Sequence, residues 1–200
     1  MSALQLLDRI NSHDIILASR SPRRQALLKD LGIIFRIAEI VDTDEQYPAG
    51  LAGNEIPLYL ARIKAVRHRD LLKEKSILIT ADTIVWYGDK IVPKPRDLNE
   101  ARTMLGLLSG KKHEVFTGVC LTSLAKESGF CEGTSVYFRK LSEEEINYYV
   151  ERFRPLDKAG AYGIQEWIGF AGVERIEGSF YNVMGLPVQQ LYQKLVDFTG

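Results

Sequence analysis

Apolar positions along the 200-residue chain alternate between short continuous runs and helical spacing. Ile15–Ala18 is an unbroken apolar run and predicts a buried strand. Ser21 then offers an N-cap, Pro22 suits the first helical position, and the helix that follows stops at Gly32. Ile33–Glu39 reads as a second strand, residues 42–54 as a polar loop, and Ile56 to about Leu72 as a helix. Ser76–Thr80 is the clearest buried strand, with Asp82 expected at its end. Thr83–Tyr87 and Lys90–Val92 flank Gly88-Asp89, a tight-turn pair, and predict a hairpin. Asp97 caps a helix running through Leu108, and Gly110 ends it. His113–Thr122 and Phe130–Arg139 read as long strands. Ser142 and Glu145 have the spacing of a capping box for a helix reaching about Phe153. A Gly-rich loop at Lys158–Gln165, a strand at Phe170–Ile176 and a helix at Val188–Phe198 complete the order.

Helices and strands alternate, yet some neighbouring strands are hairpins, so an α/β fold with a mixed sheet flanked by helices is expected. No repeat, low-complexity tract or linker divides the chain, which points to a single domain over residues 1–200, with two lobes allowed.

Charge adds an exclusion. Lys plus Arg and Asp plus Glu both number 26, so no global field advertises a nucleic-acid or membrane partner, and any basic site must be local. No apolar run has the length of a membrane span, the first residues lack a signal-peptide pattern, and the cytoplasm is the expected compartment. Cys120 and Cys131 fit no metal-ligand spacing. Three scattered histidines suggest neither a zinc site nor a His-based triad, and both common Gly-rich phosphate motifs are absent.

The local basic site is Ser19-Arg20-Ser21-Pro22-Arg23-Arg24, where a buried strand meets a helix N-terminus. Exposed N–H groups, the helix dipole and forked guanidinium groups suit an anion there; a capped surface helix with solvated arginines is the plainer alternative. Asp82 after a buried strand suits a base or a metal ligand, although turn aspartates are common. Lys94, held between Pro93 and Pro95, suits a phosphate contact or is a solvated loop lysine, and Lys64 lies within the helix after the acidic loop, where an exposed lysine is the plain reading. Glu45 lies in the acidic run 42–45, which could bind a divalent cation or simply be solvated. Gln165 ends the Gly-rich loop with an amide able both to donate and to accept.

These blocks resemble the Maf family: Leu17–Arg24, Ala81-Asp82-Thr83-Ile84-Val85, Lys94-Pro95, Leu108–Lys111, Asp157–Gln165, Glu177-Gly178-Ser179 and Asn182–Pro187. They run in order over nearly the whole chain. The resemblance implies an elongated α/β fold, two lobes with a central cleft, related to the ITPase-like proteins. It also implies a nucleoside triphosphate pyrophosphatase that uses Mg²⁺ or Mn²⁺, with Asp82 as proposed base. Arg23, Thr83 and Gln165 match the branch preferring dTTP and UTP. Ser19, Arg24, Lys64 and Lys94 correspond to phosphate contacts, and Glu45 with Asp82 to metal ligands. Two departures stand out: Arg20, and Glu166-Trp167 where glycine is usual. A nucleotidyltransferase and a nucleotide-binding septation regulator with little turnover are the alternatives. The oligomeric state is open, a homodimer included.

Overall fold

The computed structural model describes residues 2–39 and 46–200. Ser2 and Gln5 form a reciprocal capping box that opens α1 (Ala3–Asn11). The apolar run forms β1 (Asp14–Leu17), and Ser21 with Pro22 starts α2 (Pro22–Asp30), after which Gly32 takes the left-handed conformation (φ 83°) that a side chain would resist. There follow β2 (Phe35–Ile37), α3 (Glu55–Arg67), β3 (Ser76–Tyr87) and β4 (Lys90–Val92). Next come α4 (Leu98–Leu108), β5 (Lys112–Thr122), β6 (Glu127–Phe138), α5 (Glu143–Phe153), α6 (Trp167–Gly172), β7 (Val173–Glu177), α7 (Phe180–Met184) and α8 (Val188–Thr199).

The strands form one mixed sheet in the order β2-β1-β3-β5-β6-β7, with β4 paired to β3. β1 runs parallel to both β2 and β3, whereas β4 on β3 and β7 on β6 are antiparallel. Two expectations change. Asp82 does not end a strand: Ser76–Tyr87 is one continuous strand, and Asp82 falls between the stretch paired to β1 (Ser76–Ile79) and the stretch paired to β4 (Val85–Tyr87). The expected strand at Phe170–Ile176 begins as helix, with the strand starting only at Val173. Phe170 is 82% exposed, so its apolar character reflects no burial.

The chain divides into two compact units, residues 1–82, 117–132 and 185–200, and residues 83–116 and 133–184. In the first, Ile16, Ala18, Leu78 and Cys120 pack against Ala61 and Ala65 of α3. That face of α3 is made of small residues and meets Gly118 of β5, where a Cβ would lie 2.2 Å from the Leu58 backbone nitrogen. The helix backbone therefore sits directly on the sheet. Both cysteines are free, and burial pushes their thiols up to about 11 for Cys120 and about 12 for Cys131, outside the range of reactive thiols. No helix among the described residues is long and apolar enough to cross a membrane.

The second unit has its own core, from Val85 and Leu105 to Phe138, Tyr149 and Ile168. His113 lies inside it, 2% exposed, edge-on to Phe138 and Tyr162, with Nε2 2.7 Å from the Tyr162 hydroxyl. Burial pushes its pKa down to about 4. The unfolded chain binds this proton near pH 6.5 and the folded chain only near 4, so the contribution is complete above 6.5 and is lost on acidification between those values. Urea unfolding should register a loss of about 3 kcal/mol over that window, and a shallower pH slope in His113→Gln.

Candidate active site

Two periodicities bring the first charged pair together. Thr80 and Asp82 are two apart on β3 and share a face. Ala61 and Lys64 are three apart on α3 and also share a face. The Thr80 hydroxyl donates to the Ala61 carbonyl at 2.7 Å, and one step further along both elements the Lys64 ammonium donates to Asp82 Oδ1. The side chains are 19% and 12% exposed, so this ion pair is largely withdrawn from solvent. His68, buried one turn on, places Nδ1 2.7 Å from the Lys64 carbonyl.

The strand-to-helix corner lies in the same unit. Ser21 caps α2 by accepting from the Arg24 backbone N–H at 3.5 Å, and the buried Ser19 hydroxyl accepts from Ser21 N–H at 3.2 Å. Arg24 reaches across: Nη1 donates to the Ala81 carbonyl at 2.8 Å and lies 3.5 Å from Ser19 Oγ, while Nε donates to the Gly185 carbonyl at 2.8 Å. Ala81 lies past the last β1-paired residue of β3, so the guanidinium satisfies a carbonyl where that ladder has stopped. Arg24 therefore ties the corner to the residue next to Asp82. Ser19, Arg24, Lys64 and Asp82 are thus assembled within one unit. Arg23 is half-buried in α2, in the same unit.

Thr83, Lys94 and Gln165 belong to the second unit. There the Gly160 N–H donates to the Pro93 carbonyl at 3.0 Å, joining the Gly-rich loop to the segment that carries Lys94. Gly160 has φ 69°, and a Cβ on it would lie 3.0 Å from a Val85 methyl group, so both conformation and space call for glycine. Lys94 is exposed and Thr83 half-buried. Gln165 is half-buried, and its Oε1 is enclosed without a hydrogen bond among the described residues. Glu45 lies outside the described residues.

Among the described residues no three His, Cys, Asp or Glu side chains gather to hold a metal ion. Asp82 Oδ1 accepts from the Lys64 ammonium. That donor set fits a magnesium-like cation held by one or two carboxylates together with substrate phosphates.

Sequence reasoning missed three contributors. Gly185, visible only within the family-like block 182–187, offers a carbonyl, and Gly118 offers an absence of side chain that carries no local signal. Glu166 was visible only as a departure from the family pattern.

Fold and site together define a mixed α/β protein with a charged pair drawn against its sheet. The solved HAM1 protein from Coxiella burnetii shares this fold, at 16% identity and a TM-score of 0.51, over 92% of this chain and 99% of its own. The particular family follows from the sequence: residues 14–198 match the family described as Maf-like protein, and the chain belongs to it. A dTTP/UTP pyrophosphatase of Bacteroides thetaiotaomicron is 52% identical over 190 residues, 95% of this chain and 98% of the relative. One from Parabacteroides distasonis is 52% identical over 193 residues, 96% and 100% of the two chains.

Proposed function

We propose that this protein hydrolyses dTTP and UTP to the monophosphate and pyrophosphate. What carries the reading is the Lys64–Asp82 pair beside the Arg24-anchored corner, together with relatives of about half identity named dTTP/UTP pyrophosphatase. In this proposal Ser19, Arg24, Lys64 and Lys94 hold phosphate oxygens, offsetting the roughly four negative charges of a triphosphate. Asp82 and Glu45 would hold the divalent cation, Mg²⁺ or Mn²⁺, which would supply neutralisation of phosphate charge. Asp82 takes a proton from water as the water oxygen bonds to the α-phosphorus and the bond to the bridging oxygen breaks, releasing pyrophosphate. Lys64 fixes the carboxylate through Oδ1. Arg23, Thr83 and Gln165 select the pyrimidine. The cytoplasm is the proposed compartment, and a homodimer is a further part of the reading.

The test is a screen of triphosphates with Mg²⁺ or Mn²⁺, assayed for both products. Turnover of UTP and dTTP above the purine triphosphates, with monophosphate and pyrophosphate in equal amounts, is the expected result. Tight UTP binding without metal-dependent hydrolysis favours a regulator instead, and a nucleotide–sugar product a transferase.

A further inference from the structure

The loop from Lys158 to Glu166 is fastened at both ends by one carboxylate. Glu166 Oε2 accepts from the Tyr149 hydroxyl, and Oε1 lies 3.1 Å from the Lys158 ammonium. Lys158 and Glu166 side chains are 8% and 18% exposed, so water competes little for either partner. Lys158 also donates to Asp157 at 2.7 Å. Tyr149, fully buried on α5 and stacked on Phe153, accepts from the Gly163 N–H at 3.0 Å with the oxygen that donates to Glu166. Burial and the adjacent carboxylate push this phenol up, which keeps it a proton donor to Glu166. One carboxylate and one hydroxyl therefore hold the loop's start, middle and end.

Gly163 shows how closely the parts fit. A Cβ there would lie 2.9 Å from the Glu166 carboxyl carbon and 3.0 Å from Gln165 Nε2. The Gln165 amide and the Glu166 carboxylate thus rest on the same bare stretch of backbone. An enclosed amide oxygen without a partner among the described residues, such as Gln165 Oε1, is unfavourable. A surrounding that holds the amide in place lowers the cost of ordering it when a ligand binds.

We infer that Glu166 is a positioning residue: with Tyr149 and Lys158 it clamps the Gly-rich loop and so sets the Gln165 amide for the nucleobase. The inference rests on the pyrophosphatase reading for its substrate. It gives a structural purpose to a residue that departs from the family pattern, because a glycine at 166 could make neither side-chain bond.

The test compares wild type, Glu166→Ala, Glu166→Gln and Tyr149→Phe on UTP and CTP, which have bases of one size and different hydrogen-bonding edges. Glu166→Ala should lower the UTP-to-CTP ratio of kcat/KM by about tenfold, mainly through KM for UTP. Glu166→Gln should recover part of the ratio, since it keeps the shape and an acceptor. In a Gln165→Ala background the substitution should leave the ratio where it stands, an outcome general destabilisation would not produce. Without nucleotide, amide exchange at Gly163 should quicken in Glu166→Ala and in Tyr149→Phe, the milder variant if the first folds poorly. An unchanged ratio, or unchanged Gly163 exchange, in active variants overturns the inference. A wild type that turns over neither triphosphate overturns the pyrophosphatase reading instead, while exchange still reports on the clamp.

Discussion

Asp82→Asn is expected to lower turnover of UTP and dTTP by about 10²–10⁴-fold, the range for removing a group that handles the transferred proton. The substitution keeps the size and shape of the side chain and leaves an amide oxygen facing Lys64. What it removes is the negative charge, and with it the ability to take a proton or hold a cation firmly. Lys64 loses the Asp82 charge at a position 19% exposed. The protein should therefore lose about 1–2 kcal/mol, less than a fully buried pair would cost, and keep its circular dichroism spectrum. A metal titration separates the two roles of Asp82. Recovery of rate at high Mg²⁺ marks weakened cation binding, whereas a rate low at every concentration marks the missing base. Undiminished turnover in a folded variant removes Asp82 from the chemistry.

That experiment turns on a pairing whose two halves the sequence displayed separately. Asp82 stood out because it follows a buried apolar run, and Lys64 because it matched a family position. Their contact needed the register of α3 on β3, which depends on Thr80 meeting Ala61, residues 19 apart in sequence. Features closed within a few residues were legible. The Ser21 cap, the Asp97 cap and the Ser142–Glu145 capping box all formed as their spacing dictates. So did the turn at Gly88-Asp89, where both residues have positive φ, as a two-residue hairpin favours. Continuity of a strand was harder. Ala81-Asp82-Thr83 looked like an interruption because a carboxylate is rare in a buried strand. The structure keeps the strand whole by giving Asp82 a lysine and the Ala81 carbonyl an arginine. The segment after Gln165 misled for the opposite reason: its apolar residues imply burial, but Phe170 lies outside, and a six-residue helix there owes its existence to tertiary packing, with Ile168 fully buried.

Gly118→Ala should produce the second large effect, from a residue that touches no substrate. Its added methyl would lie 2.2 Å from Leu58 N, 2.3 Å from the Pro57 carbonyl carbon and 2.4 Å from Leu58 Cα, all backbone atoms of α3. Backbone cannot rotate away, so the first turns of the helix must lift from the sheet by roughly 1 Å to restore ordinary contact. Overpacking of this kind costs about 1–3 kcal/mol, here toward the upper end because a whole element moves. Lys64 rides on that helix, and Thr80 meets Ala61 one turn before it, so both contacts are strained together. A displacement near 1 Å in a catalytic constellation can cost about 10²-fold in rate, and turnover should fall by that order in a protein that still folds. Gly129→Ala is the control. Its methyl would meet the Leu58 side chain at 3.0 Å and the Arg62 guanidinium at 3.3 Å, both able to swing aside. It should be nearly silent, and Leu58→Ala should relieve what effect it has. No truncation at Leu58 should relieve Gly118→Ala, because there the obstacle is the helix backbone. Wild-type turnover in Gly118→Ala would mean that α3 can shift without carrying Lys64 away from Asp82, and that the close seat of the helix does not set the pair.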